Sequence, residues 1–474
     1  MKDNFTSFSF KSEIVKGIKE LGFKIPTPIQ KKVIPHLLFS KQDLIASAQT
    51  GTGKTAAFGL PLLHLTDVDD KSIQSLILCP TRELCLQIGK DLSMYSKYLK
   101  GVSVLSVYGG EKIEKQIKNL KKTPQIIVGT PGRTKDLIKR KKLFLGDTKR
   151  LIMDESDEML SMGFKEDLEF ILNSSSIDKN ILLFSATMTK KVIAVTKKYM
   201  KNPVEISVTK LNRGADNINH IFYMVHAKDR YEVVKRIADM NPNIYGIVFC
   251  RTRRETKDVA NKLMIDHYNA DTIHGDLAQS ERDEVMMRFR KKKIQILVAT
   301  DVAARGLDVE ELTHVINYNL PDDDETYIHR SGRTGRAGKN GLSIAIIHGR
   351  ETHRIKNIER KAGIYFEKRQ VPDGLEICKK RLYTLIDKIE KVEVNEKQIK
   401  QFLPYIFDKL NWLDREELIK HFVSTEFNRY LSYYKNSRDI NIDPNTVEKR
   451  KRRRPKKNRR KFKNLRKNRK RKSR

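Results

Sequence analysis

One segment of the sequence carries residues whose types and spacing suit phosphate binding. It reads Ala48, Gln49, Thr50, Gly51, Thr52, Gly53, Lys54 and Thr55. An apolar, strand-like segment precedes it and a helix-compatible segment follows, which is the arrangement of a P-loop with alanine in place of the first glycine. Small glycines let backbone N–H groups turn around phosphate oxygens, and the start of the helix adds its dipole. Lys54 can neutralise the β- and γ-phosphates, and the Thr55 hydroxyl can bind Mg²⁺.

Further along the chain, a second segment supplies carboxylates. An apolar strand end at residues 151–153 runs into Asp154, Glu155, Ser156 and Asp157. We expect Asp154 to contact Mg²⁺ from a neighbouring strand and Glu155 to orient the attacking water. An incidental glycine-rich turn with one lysine is the competing interpretation of the first segment. The two segments together favour nucleotide hydrolysis.

Length and composition limit the classes of protein that this chain can be. Its 474 residues are enough for two or three domains, and 39% hydrophobic residues are enough for packed cores. The formal net charge of +36 indicates a polyanionic partner. Residues 449–474 contain 19 Lys and Arg and no acidic residue, so +17 remains on the rest of the chain. The body is therefore basic as well as the tail.

Cysteine usage and hydropathy indicate a protein of the cell interior. Cys79, Cys85, Cys250 and Cys378 are scattered without the spacing of metal ligands or of a disulfide framework. Free thiols in a reducing compartment are the simple interpretation. The amino terminus lacks an apolar signal core, and no apolar run approaches the length of a membrane span. The sequence therefore predicts a cytoplasmic or nucleoid-associated protein without a membrane segment.

Hydrophobic patterning predicts the elements that must position these residues. Apolar strand-like segments alternate with helical patterns, which predicts a mostly parallel sheet with helices on both faces. The strand-like segments of the first half are residues 75–79, 102–107, 125–128, 151–153 and 181–184. Ligands bind at the carboxyl ends of such strands, where this sequence is rich in Gly, Pro, Thr and Arg.

A polar segment without periodicity, residues 209–218, predicts a linker, after which the alternation restarts. This second α/β unit has no P-loop of its own, so we expect it to supply groups across a shared cleft. The candidates lie in residues 329–336, where Arg333 and Arg336 can match phosphoryl oxygens through their planar guanidinium groups. A solvated basic turn is the alternative interpretation of these arginines.

With these segments assembled, residues 5–350 resemble the DEAD-box RNA helicases of superfamily 2. The residues that carry the resemblance include both segments above, residues 329–336, and a Q-motif-like set of Gly22, Phe23, Pro26, Thr27, Pro28, Ile29 and Gln30. The resemblance implies an α/β protein of two tandem RecA-like domains with parallel sheets, residues 1–208 and 219–370. It implies ATP and Mg²⁺ as cofactors, with Thr55 and Asp154 at the metal, and RNA as the partner.

The same resemblance implies roles for individual residues. At the nucleotide it places Phe5, Phe23, Gln30, the eight residues 48–55 and Asp308, with Lys54, Asp154, Glu155, Arg333 and Arg336 as the catalytic groups. At RNA it places Pro80, Thr81, Arg82, Gly109, Gly110, Thr130, Pro131, Gly132 and Arg133 in the first domain and Gly275, Gln279, Arg282, Thr300 and Asp301 in the second. For coupling between the two sites it implies Asp157, Ser185, Thr187 and His329. RNA contacts are expected mainly at phosphates and 2′-OH groups, with little sequence preference.

One position departs from the family pattern. Ser156 stands where the family has alanine, while Asp154 and Glu155 occupy the metal and base positions unchanged. A serine adds one hydroxyl to a small side chain, so we expect hydrolysis to survive. We expect the serine to affect how strongly the acidic segment is coupled to the rest of the site, and not whether ATP is hydrolysed.

Residues 371–445 change character and predict a small helical extension. Its apolar residues recur at helical spacing: Leu382, Leu385, Ile386, Ile389, Phe402, Leu403, Ile406, Leu410, Leu418, Phe422, Phe427 and Leu431. Stacking on bases is one interpretation of its aromatic residues, but their helical spacing favours packing into a core; these residues are Trp412, Phe427, Tyr430, Tyr433 and Tyr434. A dimerising module and a ribonucleoprotein-docking module both fit this extension.

Residues 446–474 are of low complexity and almost without apolar residues, which predicts a disordered Lys/Arg-rich tail. An RNA anchor is favoured over a solubilising tail or a localisation signal, because the preceding domains already imply an RNA partner.

The sequence as a whole favours an ATP-dependent RNA helicase that locally unwinds or remodels RNA duplexes and ribonucleoproteins, in ribosome assembly or mRNA metabolism. A DNA-directed translocase is disfavoured by the Q motif together with the Asp-Glu-x-Asp box. An ATP-gated RNA clamp that nucleates a ribonucleoprotein is the alternative of a different class, and the helical extension and tail are its supporting features. Ribosomal particles and an mRNA-decay machine are both compatible partners.

Overall fold

The computed structural model describes residues 4–48, 51–208, 217–304, 309, 311–335, 339–435 and 437–442, and the structural statements below concern these residues. Four predicted functional residues lie outside them: Gln49, Thr50, Asp308 and Arg336. The predicted tail and most of the predicted linker also lie outside. None of the described helices combines the length and the apolarity that a membrane crossing requires.

The first half of the chain forms a sheet in which all described strands are parallel. Its strands are β1 (Leu44–Ser47), β2 (Ser75–Leu78), β3 (Val104–Val107), β4 (Ile126–Gly129), β5 (Arg150–Met153), β6 (Asn180–Ser185) and β7 (Val204–Ser207). They lie in the order β3-β4-β2-β5-β6-β1-β7. The sequence predicted that the P-loop strand β1 and the acidic strand β5 are neighbours. This prediction is wrong, because β6 lies between them.

Helices cover both faces of this sheet. They are the 3-10 helix Phe5–Phe8 and α1 (Ser12–Glu20), α2 (Pro28–Phe39), α3 (Lys54–Leu65), α4 (Arg82–Tyr95), α5 (Ile113–Leu120), α6 (Pro131–Lys139), α7 (Ser156–Ser161), α8 (Lys165–Ser174) and α9 (Lys190–Tyr199). Successive residues of β2 enter opposite cores, with Ile77 in one and Leu76 and Leu78 in the other. A strand buried on both faces needs a continuous apolar run, which explains its sequence.

The second half repeats this architecture. Its strands are β8 (Ile218–Met224), β9 (Gly246–Phe249), β10 (Ala270–Ile273), β11 (Ile296–Ala299), β12 (His314–Asn317), β13 (Gly341–Ile347) and β14 (Phe366–Arg369), in the order β10-β11-β9-β12-β13-β8-β14. Its helices are the 3-10 helix Ala227–Asp229 and α10 (Arg230–Met240), α11 (Arg253–Ile265), α12 (Gln279–Arg290), α13 (Asp301–Ala304), α14 (Asp324–Ser331) and α15 (Thr352–Ala362). The predicted fold class, two tandem RecA-like domains, is confirmed.

The sequence prediction missed four strands, β7, β8, β13 and β14. Strands β7 and β14 lie at sheet edges, and β14 leaves Glu367, Lys368 and Arg369 exposed, so neither has the continuous apolar run of an interior strand. Strand β8 begins at Ile218, the last residue of the predicted linker.

Four helices follow the second domain, as the sequence predicted for its extension. They are α16 (Gly374–Glu390), α17 (Glu396–Ile399), α18 (Leu403–Leu410) and α19 (Arg415–Tyr434). Helices α16 and α19 pack on each other, and α16 packs on α10, around a buried cluster that contains Ile377, Cys378, Phe427 and Tyr434. Core packing is thus correct for Phe427 and Tyr434, and Tyr430 packs against the same cluster. It is wrong for Tyr433, which is 43% exposed, and for Trp412, which is 70% exposed in the loop between α18 and α19.

Candidate nucleotide and RNA site between the two domains

The P-loop geometry follows from its glycines. Gly51 and Gly53 have φ values of 82° and 88°, a backbone conformation that residues other than glycine rarely adopt. A Cβ atom at Gly53 would lie 2.5 Å from Nε2 of Gln30, so glycine is also required there for space. Lys54 begins α3 and is buried, with its Nζ donating to the carbonyl of Ala48 at 3.0 Å. Thr52 and Thr55 lie beside these residues and are partly exposed.

Gln30 connects the Q-motif segment with the P-loop. Its Oε1 accepts from the Thr27 N–H at 2.9 Å, and its Nε2 donates to the carbonyl of Gly53 at 3.1 Å. An amide oxygen has two lone pairs and an amide nitrogen two hydrogens, so each atom keeps one free for a base edge. The predicted aromatic residues Phe5 and Phe23 pack against each other with ring centroids 6.0 Å apart and ring planes tilted by 33°.

The acidic segment turns sharply after β5. Glu155 has a φ of 50°, and Oδ1 of Asp154 accepts from its N–H at 3.0 Å. Burial raises the pKa of Asp154 to about 6, and the nearby Lys54 ammonium opposes that rise. A cation beside this carboxylate would offset the cost of burying its charge.

Asp154 and Thr55 offer few protein oxygen ligands, which suits a metal ion that binds together with a nucleotide. No group of three or more His, Cys, Asp or Glu that could hold a metal ion occurs within the described part of the chain. Mg²⁺ usually takes one or two protein ligands and fills its shell with water and substrate phosphates. Asp154 and Thr55 fit that pattern.

The residues predicted for coupling meet where β6 ends. Asp157 Oδ2 accepts from both the N–H and the Oγ1 of Thr187, each at 2.9 Å. Ser185 Oγ donates to the Thr187 carbonyl at 2.6 Å. From the second domain, His329 Nδ1 hydrogen-bonds Glu158, and its Nε2 lies 3.8 Å from Asp157. Sequence reasoning missed Glu158, although its place directly after the acidic segment was a usable signal.

The arginines of residues 329–336 divide into different environments. Arg330 is buried, and its Nε and Nη2 donate to the two carboxylate oxygens of Asp301 at 2.5 and 2.8 Å. It also donates to Asn317 Oδ1 at 2.9 Å and to the Asn319 carbonyl at 2.8 Å, so its role is structural. The carboxylate of Asp301, a predicted RNA residue, is thereby occupied inside the domain. Arg333 lies partly buried in the turn after α14.

In the first domain, the predicted RNA residues follow β2, β3 and β4, which are neighbours in the sheet. Thr81 caps α4 by accepting from Leu84 N–H at 3.2 Å. Arg133 donates to Gln116 at 2.9 Å and to the carbonyl of Glu111 at 3.0 Å. These bonds hold the loop after β3, and sequence reasoning missed Gln116. That loop includes Gly109 and Gly110, whereas Pro80, Thr130, Pro131 and Gly132 lie at the ends of the two neighbouring strands.

In the second domain, Gln279 and Arg282 lie on α12 and face the first domain. Arg282 Nη2 is 3.6 Å from Glu83, and Arg82 Nη2 is 3.0 Å from Asp283. A Cβ at Gly110 would lie 3.5 Å from the Gln279 side chain. The remaining predicted residues of this domain, Gly275 and Thr300, follow β10 and β11, and only Gly275 is exposed.

The two domains thus bring their predicted RNA residues to one cleft. A cavity of about 660 Å³ opens there, lined by Arg82 and Lys90 of the first domain and by Tyr245, Met286 and Arg290 of the second. Its lining also includes the acidic residues Glu83, Asp283 and Glu311. The fold and this site define a P-loop nucleotide hydrolase with two RecA-like domains and a charged cleft between them.

Comparisons with known proteins agree with this class. A family model described as DEAD/DEAH box helicase matches residues 27–195, and one described as helicase conserved C-terminal domain matches residues 229–338. A third, described as probable ATP-dependent RNA helicase, helical domain, matches residues 377–435.

Curated relatives cover most of the chain. The ATP-dependent RNA helicase CshA of Listeria monocytogenes is 43% identical over 412 residues, which are 86% of this chain and 79% of the relative. The DEAD-box ATP-dependent RNA helicase CshA of Bacillus cereus is 42% identical over 392 residues, 83% of this chain and 74% of the relative.

A solved structure of S. cerevisiae Dbp5 bound to RNA and ADP BeF3 superposes with a TM-score of 0.73 at 30% identity, covering 80% of this chain and all of that one. One of Mss116p bound to ssRNA and AMP-PNP gives a TM-score of 0.70 at 26% identity, with 94% and 93% covered.

The chain belongs to the DEAD-box ATP-dependent RNA helicases. The predicted function, an RNA helicase that hydrolyses ATP, is confirmed by this membership, and ATP and RNA are its ligands. No comparison favours the alternative of an ATP-gated clamp.

Proposed function

We propose that this helicase closes its two domains over ATP and one RNA strand, so that a paired strand cannot follow the bent backbone. The observation that carries the proposal is the pairing of predicted RNA residues across the cleft. Arg82 pairs with Asp283 of the second domain, and Arg282 of the second domain lies near Glu83 of the first. RNA phosphates can compete with these acids for the same arginines, because a guanidinium binds phosphate and carboxylate alike.

We infer the roles of the nucleotide-site residues from the motifs that they match. Lys54 and the backbone of Gly51 and Gly53 would hold the phosphates, and Thr55 and Asp154 would hold Mg²⁺. Bound Mg²⁺ supplies neutralisation of the phosphate charge that develops during phosphoryl transfer. Glu155 would position the attacking water, and Arg333 and Arg336 would stabilise the γ-phosphate charge, the role that the matched motif implies for these arginines.

A direct test compares nucleic acids as activators. ATP hydrolysis by the full chain should rise with single-stranded RNA and stay near its basal rate with single-stranded DNA of the same sequence. Unwinding of a short RNA duplex should require hydrolysable ATP for repeated turnover. Equal stimulation by DNA would contradict the RNA-specific mechanism.

We further propose cytoplasmic ribonucleoproteins, either ribosomal particles or an mRNA-decay machine, as the clients. The net charge of +36 supports RNA-rich partners. Sequencing of RNA crosslinked to the protein in its own cell decides between the two, because ribosomal RNA would dominate in one case and messenger RNA in the other.

We propose that a second copy of this chain covers the exposed end of the helical extension. We define the apolar tip as residues 383–423. Helices α17 and α18 bury no residue, and Tyr405, Phe407 and Trp412 are each at least 65% exposed. Isolated short helices are marginal in water, so this surface needs a covering partner.

Charge favours a protein surface over RNA at the apolar tip. Residues 383–423 contain seven Lys or Arg and eight Asp or Glu, a net charge of −1 in a chain of +36. A two-fold interface places the same patch on both subunits, and a nearly neutral mixed patch does so without like-charge repulsion. RNA would instead require a basic surface.

The oligomeric state tests this interface. The full chain should be dimeric by light scattering at micromolar concentration, and Phe407→Ser with Trp412→Ser should make it monomeric. Phe144→Ser is the matched control, because Phe144 is 74% exposed on the first domain and far from the tip in the sequence. A monomeric parent protein would contradict the dimer and assign the tip to a different protein partner.

A further inference from the structure

Ser156, the residue that departs from the family pattern, donates a hydrogen bond out of its own helix. Its Oγ lies 3.3 Å from the carbonyl oxygen of Phe184, and both residues are buried. Ser156 is the first residue of α7, and Phe184 is the next-to-last residue of β6. The bond therefore joins the acidic segment to the strand that lies between it and the P-loop strand.

The position of this bond is explained by where the β5–β6 ladder stops. The paired register runs from Arg150 opposite Asn180 to Met153 opposite Leu183. Glu155 then enters the left-handed region, and its N–H donates to Asp154. No residue of β5 is thus paired with Phe184, and the Ser156 hydroxyl supplies a donor at the point where the ladder would have continued.

Two consecutive residues of the acidic segment consequently hold both ends of one turn. Ser156 holds the carbonyl of Phe184 before the turn, and Asp157 accepts two hydrogen bonds from Thr187 after it. The second domain contacts the same place through His329, whose Nε2 lies 3.8 Å from Asp157. An alanine at position 156 keeps the Asp157 connection and loses the one to Phe184.

We propose that Ser156 is a positioning residue that connects the turn at Ser185 and Thr187 rigidly to Glu155, so that domain closure is transmitted to the attacking water. The proposal rests on the proposed function for the role of Glu155. It assigns a role to a hydroxyl that the family pattern lacks, and it places that role in turnover and not in ATP binding.

The test replaces Ser156 by alanine in the full chain. The KM for ATP should stay within about twofold, because the phosphate-binding atoms of the P-loop are untouched. The RNA-stimulated kcat should fall about three- to tenfold, which is the rate change expected if the net contribution of one hydrogen bond is lost from the transition state. The number of duplexes unwound per ATP hydrolysed should fall with it. Ser156→Cys, which retains a weak donor of similar size, should recover part of the rate.

Ser75→Ala is the matched control. Ser75 is a buried serine at the start of β2 in the same sheet, and its Oγ has no hydrogen-bond partner among the described residues. Ser75→Ala removes a hydroxyl group of the same volume as Ser156→Ala does, but it breaks no hydrogen bond. Kinetic parameters of this variant should match the parent.

Amide hydrogen exchange gives a second readout that does not depend on activity. The peptide of residues 184–189 should exchange faster in Ser156→Ala than in the parent and in Ser75→Ala, while the peptide of α3 should be unchanged. A parent protein without RNA-stimulated hydrolysis would contradict the proposed function, and the exchange rates would still decide on the Ser156 contact. Unchanged kcat, or unchanged exchange at residues 184–189, would overturn the inference.

Discussion

His329 of the second domain hydrogen-bonds Glu158, which directly follows the acidic segment of the first domain. The contact joins the two domains beside the predicted catalytic carboxylates through an imidazole, a group whose ordinary pKa lies near neutral pH. Burial alone would lower the pKa of His329, but the hydrogen bond to Glu158 and the charges of Asp157 and Glu155 raise it above its ordinary value of 6.5.

Closure should therefore depend on pH. Protonated His329 is favoured in the closed arrangement, so its contribution is complete below pH 6.5 and is lost as the pH rises through the raised pKa. RNA affinity in the presence of a non-hydrolysable ATP analogue should fall over that range, by at most about tenfold per pH unit for one coupled proton. The measurement is RNA binding as a function of pH. His329→Gln should flatten the profile, and an identical profile in parent and variant would remove this contact from the closure equilibrium.

Lys54→Ala and Glu155→Gln should separate binding from turnover. The first removes the charge that meets the phosphates, so ATP affinity should fall about ten- to hundredfold. The second leaves the phosphate contacts and removes the group that orients water, so ATP and RNA should bind while kcat falls about a hundredfold or more. Fluorescent-nucleotide binding and steady-state hydrolysis measure the two effects. Glu114→Gln, at an exposed position of α5, is the control; full turnover in Glu155→Gln would exclude that carboxylate.

Gln30→Ala should lose both the discrimination of ATP over GTP and part of the activity. The amide contacts Thr27 and Gly53 and keeps one lone pair and one hydrogen for the base. Gln30→Glu retains the acceptor toward Thr27 but cannot donate to Gly53, so it should fall between the parent and the alanine variant. Hydrolysis of all four nucleoside triphosphates provides the comparison. Equal selectivity in all three proteins would leave Gln30 with only its contact to the P-loop.

The docking of the helical extension should depend on Asp239. This buried carboxylate accepts from Arg381 Nη2 at 2.8 Å and from the Tyr434 hydroxyl at 2.5 Å. Asp239→Ala removes the carboxylate partner of the partly exposed Arg381, whose Nη2 still donates to the Ala238 carbonyl, and it removes the acceptor of the Tyr434 hydroxyl; losing such a hydrogen-bonded acceptor typically costs about 1–3 kcal/mol. Limited proteolysis near residue 371 should therefore be faster, while RNA-stimulated hydrolysis per folded molecule stays unchanged. Cleavage at the parent rate would mean that apolar packing alone holds the extension.

Truncation before Thr446 should weaken RNA binding in a salt-dependent way. Each phosphate neutralised on a single strand contributes about −0.7 to the slope of log affinity against log salt. If a third of the 19 basic residues engage at once, the truncated protein should lose roughly four units of slope. A salt titration of RNA binding measures this loss, with hydrolysis at saturating RNA as the control. An unchanged slope would contradict RNA anchoring. A large fall in the hydrolysis rate at saturating RNA would show that the tail is required for ATP hydrolysis itself.

The sequence alone determined the chemistry and the repeated α/β architecture. The predicted chemistry rests on contiguous residues, because the P-loop and the segment from Asp154 to Asp157 each place their predicted functional groups within a few residues of one another. Interior strands such as β2 are equally readable, because burial on both faces demands an apolar run. Edge strands such as β14 escaped prediction, since one side of an edge strand faces solvent and tolerates polar residues.

The tertiary structure alone decided which distant residues meet. The contacts of His329 with Glu158, of Arg82 with Asp283 and of Ser156 with Phe184 depend on strand order and on the placement of one domain against the other. Helical periodicity shows that a helix has an apolar face but not what covers it, so the exposure of Trp412 at the apolar tip was beyond the sequence. A motif of neighbouring residues can be recognised from the sequence, whereas contacts between distant residues form only when the chain folds.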